Sequence, residues 1–313
     1  MRVTNSMMIQ SFLRNLNTNT TIMSTYQNQL SSGKRINRLS DDPIGIMSVL
    51  DNRAKLSKLA QHNSSIDNGS SWLAQSETSL REINGVISTL YEKTVYASNG
   101  TLSDSDRNAI GALVGQLKEH VVQLGNTTYG GRYIFGGYNT TQAPFSVDAG
   151  GNLLYNGIDL SDTSVPAATY EALKNQNIAF STGTNLTTTV NVTGVDVMGT
   201  GDNNLYKILD ELETALNNGT SGSSLSGFIS KLQGKQDDIL SLLADVGGRQ
   251  NRLETMAQSN ADNEINYTAL LSKVEDIDQA YVTMQFKMAE AIYRASLSVG
   301  AQIIQPTLLD FIK

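Results

Sequence analysis

The chain has 313 residues, of which 39% are hydrophobic but only 6% aromatic, enough for small cores and thin for one large globular core; at roughly 150 residues per domain, two domains are expected. There is no cysteine and there are two histidines, His62 and His120, so disulfides, thiolate chemistry and a histidine-rich metal cluster are excluded. With 23 basic and 30 acidic residues the formal net charge is -7, without the basic excess of a nucleic-acid binder, and no apolar run approaches the ~18 residues a membrane helix needs.

Residues 1–23 mix Asn, Thr and Ser with scattered apolar positions and lack the continuous apolar stretch of a secretory signal. Arg2, Arg14, Lys34, Arg35 and Arg38 all precede the first acidic residue, Asp41. A basic, acid-free start also suits an organelle transit peptide, but the pattern runs on into a helix without a cleavage-like break, which tells against one. A weak apolar row, Ile9, Leu13, Leu16, Thr20, Met23, Gln27 and Leu30, predicts a first helix.

Ser40-Asp41-Asp42-Pro43 then puts an acidic N-cap before a proline at the first helical position, where the missing N–H costs nothing. From Ile66 the steps alternate between 3 and 4 through Gly69, Leu73, Ser76, Leu80, Ile83, Ile87, Leu90, Thr94 and Ala97. An average step of 3.5 keeps the stripe on one face of a slightly underwound helix, about 48 Å long over this stretch. Asn99-Gly100 closes that helix and Ser103-Asp104-Ser105-Asp106 caps the next, whose row is Ile110, Leu113, Leu117, Val121 and Leu124.

In the middle the period changes. Residues 129–138 read as a glycine-bracketed aromatic strand, 145–157 as a hairpin around Gly150-Gly151, and 186–197 as one or two strands, with a short helix after Pro166. Helical spacing returns at Leu205, Ile208, Leu209, Leu212 and Leu216, and residues 217–224 form a polar loop. A long row follows: Phe228, Leu232, Lys235, Ile239, Leu242, Val246, Arg249, Leu253 and Met256, with Gly247-Gly248 as a close-packing or bending point inside it. The last row is Tyr267, Leu270, Val274, Ile277, Tyr281, Met284, Met288, Ala291 and Ala295, with Ile292, Val299 and Ile303 beside it.

The expected fold is mainly α with a small β-rich insert, an elongated rod of long antiparallel coiled-coil-like helices formed by the N- and C-terminal segments, with both chain ends at one pole. The parts are an N-terminal assembly segment (1–42) disordered in the monomer, a first rod half (43–138), the outer insert (139–200), a second rod half (201–284) and a C-terminal assembly helix (285–313).

No catalytic constellation stands out. His62 and His120 fall beside helical rows and read as packing or interface residues, and the glycine pairs at 130–137 flank a strand rather than open a helix, so they cradle no phosphate. Glu275-Asp276-Ile277-Asp278 invites a cation-site reading, but on a continuous helix the carboxylates would splay around the axis with Ile277 on the core row. The expectation is a non-enzyme without cofactor or metal. The ends carry the information: apolar faces with few partners in their own chain order only when neighbours contribute buried area. The candidate subunit-contact residues are Ile9, Leu13, Leu16, Met23, Leu30, Met288, Ile292, Leu297, Val299, Ile303, Leu308 and Leu309.

Leu30-Ser31-Ser32-Gly33-Lys34-Arg35-Ile36-Asn37 followed by Ser40-Asp41-Asp42-Pro43 resembles the N-terminal signature of bacterial flagellins and hook-associated proteins. Gly131-Arg132-Tyr133-Ile134-Phe135-Gly136-Gly137, Val246-Gly247-Gly248-Arg249-Gln250-Asn251-Arg252-Leu253-Glu254, Val274–Ala280 and the closing Gln305-Pro306-Thr307-Leu308-Leu309 are similar to the branch of that superfamily at the junction of hook and filament. Ser40-Asp41-Asp42-Pro43-Ile44-Gly45 departs from the Ala-Asp-Asp-Ala-Ala-Gly usual in filament flagellins. The resemblance covers about residues 1–140 and 225–313 and implies a structural flagellar subunit, exported unfolded through the flagellar type III apparatus and assembled outside the cell through its terminal helices. The partners it implies are hook-associated protein 1, flagellin, copies of itself in a ring layer and a cytoplasmic export chaperone, with no nucleic acid and no membrane insertion. A filament subunit is the alternative within the superfamily; a cytoplasmic coiled-coil scaffold and an enzyme built on the insert are alternatives outside it.

Overall fold

The computed structural model describes residues 5–99, 102–162, 164–183, 185–220 and 223–303. Its contacts divide the chain into two units, one built from residues up to Lys58 together with those from Asp262 onward, the other from Leu59–Ala261.

The second unit holds the main core. Helix α2 (Pro43–Ala97) buries all ten positions of the row from Ile66 to Ala97. The two hydroxyls in that row are satisfied within the helix, Ser76 donating to the carbonyl of Trp72 and Thr94 to that of Leu90. Helix α7 (Ser223–Glu275) answers with a strict heptad of buried residues: Leu225, Leu232, Ile239, Val246, Leu253 and Asn260. The two run antiparallel, with Asn260 Nδ2 donating to Asn63 Oδ1 (3.0 Å) and Glu77 bonded to Gln250. The Asn63–Asn260 pair satisfies polar groups at a core position and so favours one register over its neighbours.

Helix α3 (Asp104–Gly125) is capped by Ser103, as its Ser-Asp-Ser-Asp sequence predicts. It buries Ile110, Val114, Val121 and Leu124, with Leu113 and Leu117 half-buried, and packs on α6 (Leu205–Asn217), whose Leu205, Ile208, Leu209, Leu212 and Leu216 are buried.

The insert is a set of small antiparallel hairpins. β1 (Thr128–Tyr129) pairs with β2 (Arg132–Tyr133) across Gly130-Gly131, both at positive φ as a two-residue hairpin turn requires. Here the expected strand over 129–138 is corrected: the glycines are the turn, and 134–138 form a further turn that drives Ile134 and Phe135 into the core. The hairpin at 145–157 is present, β3 (Phe145–Val147) against β4 (Leu153–Tyr155) with Phe145 opposite Tyr155, and β5 (Ile158–Asp159) adds across Asn156-Gly157. Helix α4 (Ala167–Lys174) follows Pro166 as expected. β6 (Ala179–Gly183) pairs with β7 (Leu186–Thr189), after which Thr193 caps a short helix α5 (Gly194–Met198), so the strand expected through 197 stops at Thr189.

The insert is tied to the helices by polar contacts. Asn126, at the end of α3, exchanges two side-chain bonds with the backbone of Phe145, and Arg249 of α7 donates to the carbonyl of Asn191. Tyr155 is fully buried, its hydroxyl donating to the carbonyl of Phe135, and desolvation pushes its pKa up to about 12.

Candidate assembly site on the terminal helices

In the first unit, α1 (Asn5–Ser32) and α8 (Gln279–Ile303) pack antiparallel. Asn19 lies opposite Ser296 (3.4 Å), and the ring of Phe12 lies so close over Gly300 that a Cβ there would sit 2.3 Å from it. The α1 positions partly withdrawn from solvent include Ile9, Phe12, Leu16, Asn19, Met23, Tyr26 and Leu30, a 3-4 repeat; those on α8 include Val282, Phe286, Ala289, Tyr293, Ser296 and Gly300. The row read from the sequence shares every seventh residue with this seam but steps to Leu13, Thr20 and Gln27 where the seam uses Phe12, Asn19 and Tyr26. The aromatics Phe12 and Tyr26, in place of Leu13 and Gln27, were the available signal.

The candidate contact residues therefore fall into two groups. Ile9, Leu16, Met23 and Leu30 line the seam of the chain's own α1 and α8. Leu13, Met288, Ile292, Leu297 and Val299 are exposed, at 45–52% of their full area. On α8, Tyr281, Met284, Met288, Ile292 and Val299 form a second apolar face beside the one that meets α1, while Leu297 lies on the other side of the seam and Leu13 is exposed on α1. Ile303 is the last residue of α8, and Leu308 and Leu309 lie outside the described residues.

The turn after α1 clasps the start of α8. Gly33 adopts φ +70°, which turns the chain so that Lys34 bridges Asp276. The Arg35 amide donates to the carbonyl of Glu275 (2.6 Å) and the Ile277 amide to that of Gly33 (3.3 Å). The Arg35 guanidinium adds two bonds to the carbonyl of Val274, at 3.2 and 3.0 Å. The continuous helix expected through 275–278 is thereby corrected: α7 ends at Glu275, α8 starts at Gln279, and the segment between them pairs as extended chain. Ile277 is half-buried rather than part of a continuous core row.

Glu275 does not splay outward. Its side chain is buried and carries two cations, Lys34 at 2.5 Å and Arg53. Beside it, Asp41 accepts from the amides of Asn37 and Arg38, and Asp42 caps α2 through the Gly45 amide (2.9 Å). That amide, with Arg35 beside it, holds the Asp42 carboxyl below its usual pKa.

Elsewhere, His62 faces the carbonyl of Ser181 (3.3 Å) and His120 is exposed. Among the described residues no three His, Asp or Glu side chains converge as metal ligands, and no helix is long and apolar enough to cross a membrane. A cleft of about 330 Å³ lies between α5 and α7, lined among others by Lys174, Asp196, Lys235 and Asp238. Lys235 is buried and paired with Asp238 (3.1 Å), and desolvation lowers its pKa.

The terminal helices thus form an antiparallel pair clasped at its base, and the unit from Leu59 to Ala261 holds a helical core that carries a β insert. Residues 3–140 match the family described as the bacterial flagellin N-terminal helical region. The chain resembles flagellar hook-associated protein 3, as its motifs imply. It is 27% identical to the Escherichia coli K12 protein of that name over 95% of both chains. It also shares its fold with hook-associated protein 3 from Legionella pneumophila, at a TM-score of 0.61 and 15% identity over 71% of this chain and 98% of that one. A flagellin of Bacillus subtilis is similar too, at 24% identity over 97% of both chains.

Proposed function

We propose that the chain is a structural subunit of the bacterial flagellum, the adaptor that joins hook to filament. The observation that carries the reading is the second apolar face of α8: Tyr281, Met284, Met288, Ile292 and Val299 stand exposed on a helix whose other side is already covered by α1. Apolar surface of that extent on a regular helix marks a place for another helix, and a subunit stacked in a tube supplies one from each neighbour. In this reading Leu13, Met288, Ile292, Leu297, Val299, Ile303, Leu308 and Leu309 contact neighbouring subunits, while Ile9, Leu16, Met23 and Leu30 first join α1 to α8 and so build the surface that is presented. In this reading α1 and α8 order stably only as the layer forms, because a short helix pair gains enough from burial to offset its conformational entropy once neighbours contribute area.

The neighbours are hook-associated protein 1 on one side, flagellin on the other and copies of this chain around the ring. The chain leaves the cell unfolded through the flagellar type III apparatus, and a cytoplasmic chaperone covers the α8 face until then. The role is mechanical, not enzymatic. Removing the gene is expected to leave hooks without attached filaments and flagellin lost to the medium, as seen by electron microscopy; filaments of normal length on such cells would overturn the adaptor role. Similarity to a filament flagellin supports a second reading, a filament subunit. Purified chain that polymerises by itself into long filaments would favour that reading, whereas an adaptor stops at a short layer.

A further inference from the structure

The buried carboxylate of Glu275 and the extended bridge around it are more than a turn. Residues 33–35 and 274–277 are about 240 positions apart in sequence, yet two backbone bonds, two guanidinium bonds and the Lys34–Glu275 ion pair join them. Every one of these contacts links the C-terminal end of α1 to the point where α7 stops and α8 begins. Neither side can be kept when the other is lost. If α1 melts, Gly33–Arg35 leave their partners, and Glu275 keeps Arg53 but loses Lys34. If 274–277 continues as helix, the carbonyl of Glu275 and the amide of Ile277 turn into the helix ladder and Arg35 loses its acceptor. Ordering is therefore all-or-none at this point.

We infer that this bridge is a latch that makes α1 and α8 order as one cooperative unit, with Glu275 as its pin. This deepens the adaptor reading, on which it rests for the idea that the two helices order with assembly. The consequence is that a single C-terminal carboxylate governs the pairing of an N-terminal helix. A neighbouring subunit then meets both helices or neither, and a half-ordered terminus does not expose the α1-facing side of α8 by itself.

The chain has no cysteine, so a pair of introduced cysteines reports the pairing cleanly. Asn19→Cys with Ser296→Cys places one thiol on each helix at a contact seen in the structure, far along both helices from the latch. The rate of disulfide formation between them is measured in the purified chain and in intact flagella, with and without Glu275→Gln. The single tryptophan, Trp72, is buried in the other unit, and its fluorescence confirms that this unit stays folded. Glu275→Gln is expected to slow the cross-link about tenfold wherever the unsubstituted chain forms it, because two cations lose their buried partner. A Lys34→Met, Arg53→Met variant should do the same from the other side. Glu290→Gln, which removes exposed pairs to Lys287 and Arg294 on α8 itself, should leave the rate unchanged. Equal rates with and without Glu275→Gln would overturn the latch, as would slowing by Glu290→Gln to the same degree. Failure of the adaptor reading looks different: the unsubstituted free chain would cross-link as fast as it does in flagella, and the latch would then be read in the free chain. No cross-link in either state would overturn the pairing and the latch with it.

Discussion

Glycine is where the same residue type does opposite things in this chain. Gly300 has no room for a side chain because Phe12 lies on it, so Gly300→Val should force the ring away and loosen α1 from α8, at a cost of about 1–3 kcal/mol to that pair. The check is the Asn19→Cys, Ser296→Cys cross-link, which should form more slowly while Trp72 fluorescence holds. Gly247 and Gly248 are the reverse. The sequence suggested a close-packing or bending point, but a Cβ at either position meets nothing within 4 Å, and α7 runs through them as regular helix. Alanine at each should therefore raise stability by about 0.5–1 kcal/mol, read as a higher urea midpoint with an unchanged slope. The two cases cannot be separated from sequence, since what decides is a ring contributed by a segment almost 290 residues away.

At the scale of elements, legibility follows from how local the determinant is. The rows on α2 and α7 were readable because a heptad stripe over many turns leaves one way to bury itself, and the caps at Asp42 and Ser103 because each is settled within a few residues. The phase of α1 was not, because its row alternates weak residues and the partner that chooses between Phe12 and Leu13 is α8. The insert was readable as β, but its strand ends depend on which glycines take positive φ, and the sequence placed Gly130-Gly131 as a bracket when they are the turn. The break at 276–278 was missed because the pairing that holds it comes from Gly33–Arg35, although Asp278, which accepts from the Tyr281 amide, caps α8 locally. The start of α2 carries a pH signature. The Asp42 carboxyl is held below the ordinary aspartate range, chiefly by the Gly45 amide, so its contribution is present above that range and is lost as pH falls through and below it. Hydrogen exchange in the first turn of α2 should accelerate over that fall. Asp42→Asn, which still caps but does not titrate, should remove this dependence while leaving the neutral-pH rate nearly unchanged.

For the molecule as a whole, the decisive surface is the one its own chain does not cover. Fold class and family were legible because long stripes and several co-linear motifs span most of the sequence, whereas the division of the contact residues into an internal seam and an outward face emerged only once α1 and α8 were placed together. That division can be tested by charge. Met288→Glu with Ile292→Glu alters two positions that are 48% and 45% exposed, so neither change leaves a cavity or strands a charge in the core. Glutamate is a good helix former, and the stability of the unit built from Leu59–Ala261 should stay within about 0.5 kcal/mol of the parent. In the proposed ring, every neighbour would bring the same two charges to the same face, and the chain already carries a net charge of -7, so repulsion and desolvation would both oppose assembly. Cells carrying this variant should export the protein yet shed their filaments, as is expected of the gene deletion. Leu16→Glu, on the internal seam, should fail at an earlier step, by separating α1 from α8. If the α8 double variant still supports attached filaments of normal length, the outward face of α8 is not where neighbouring subunits dock.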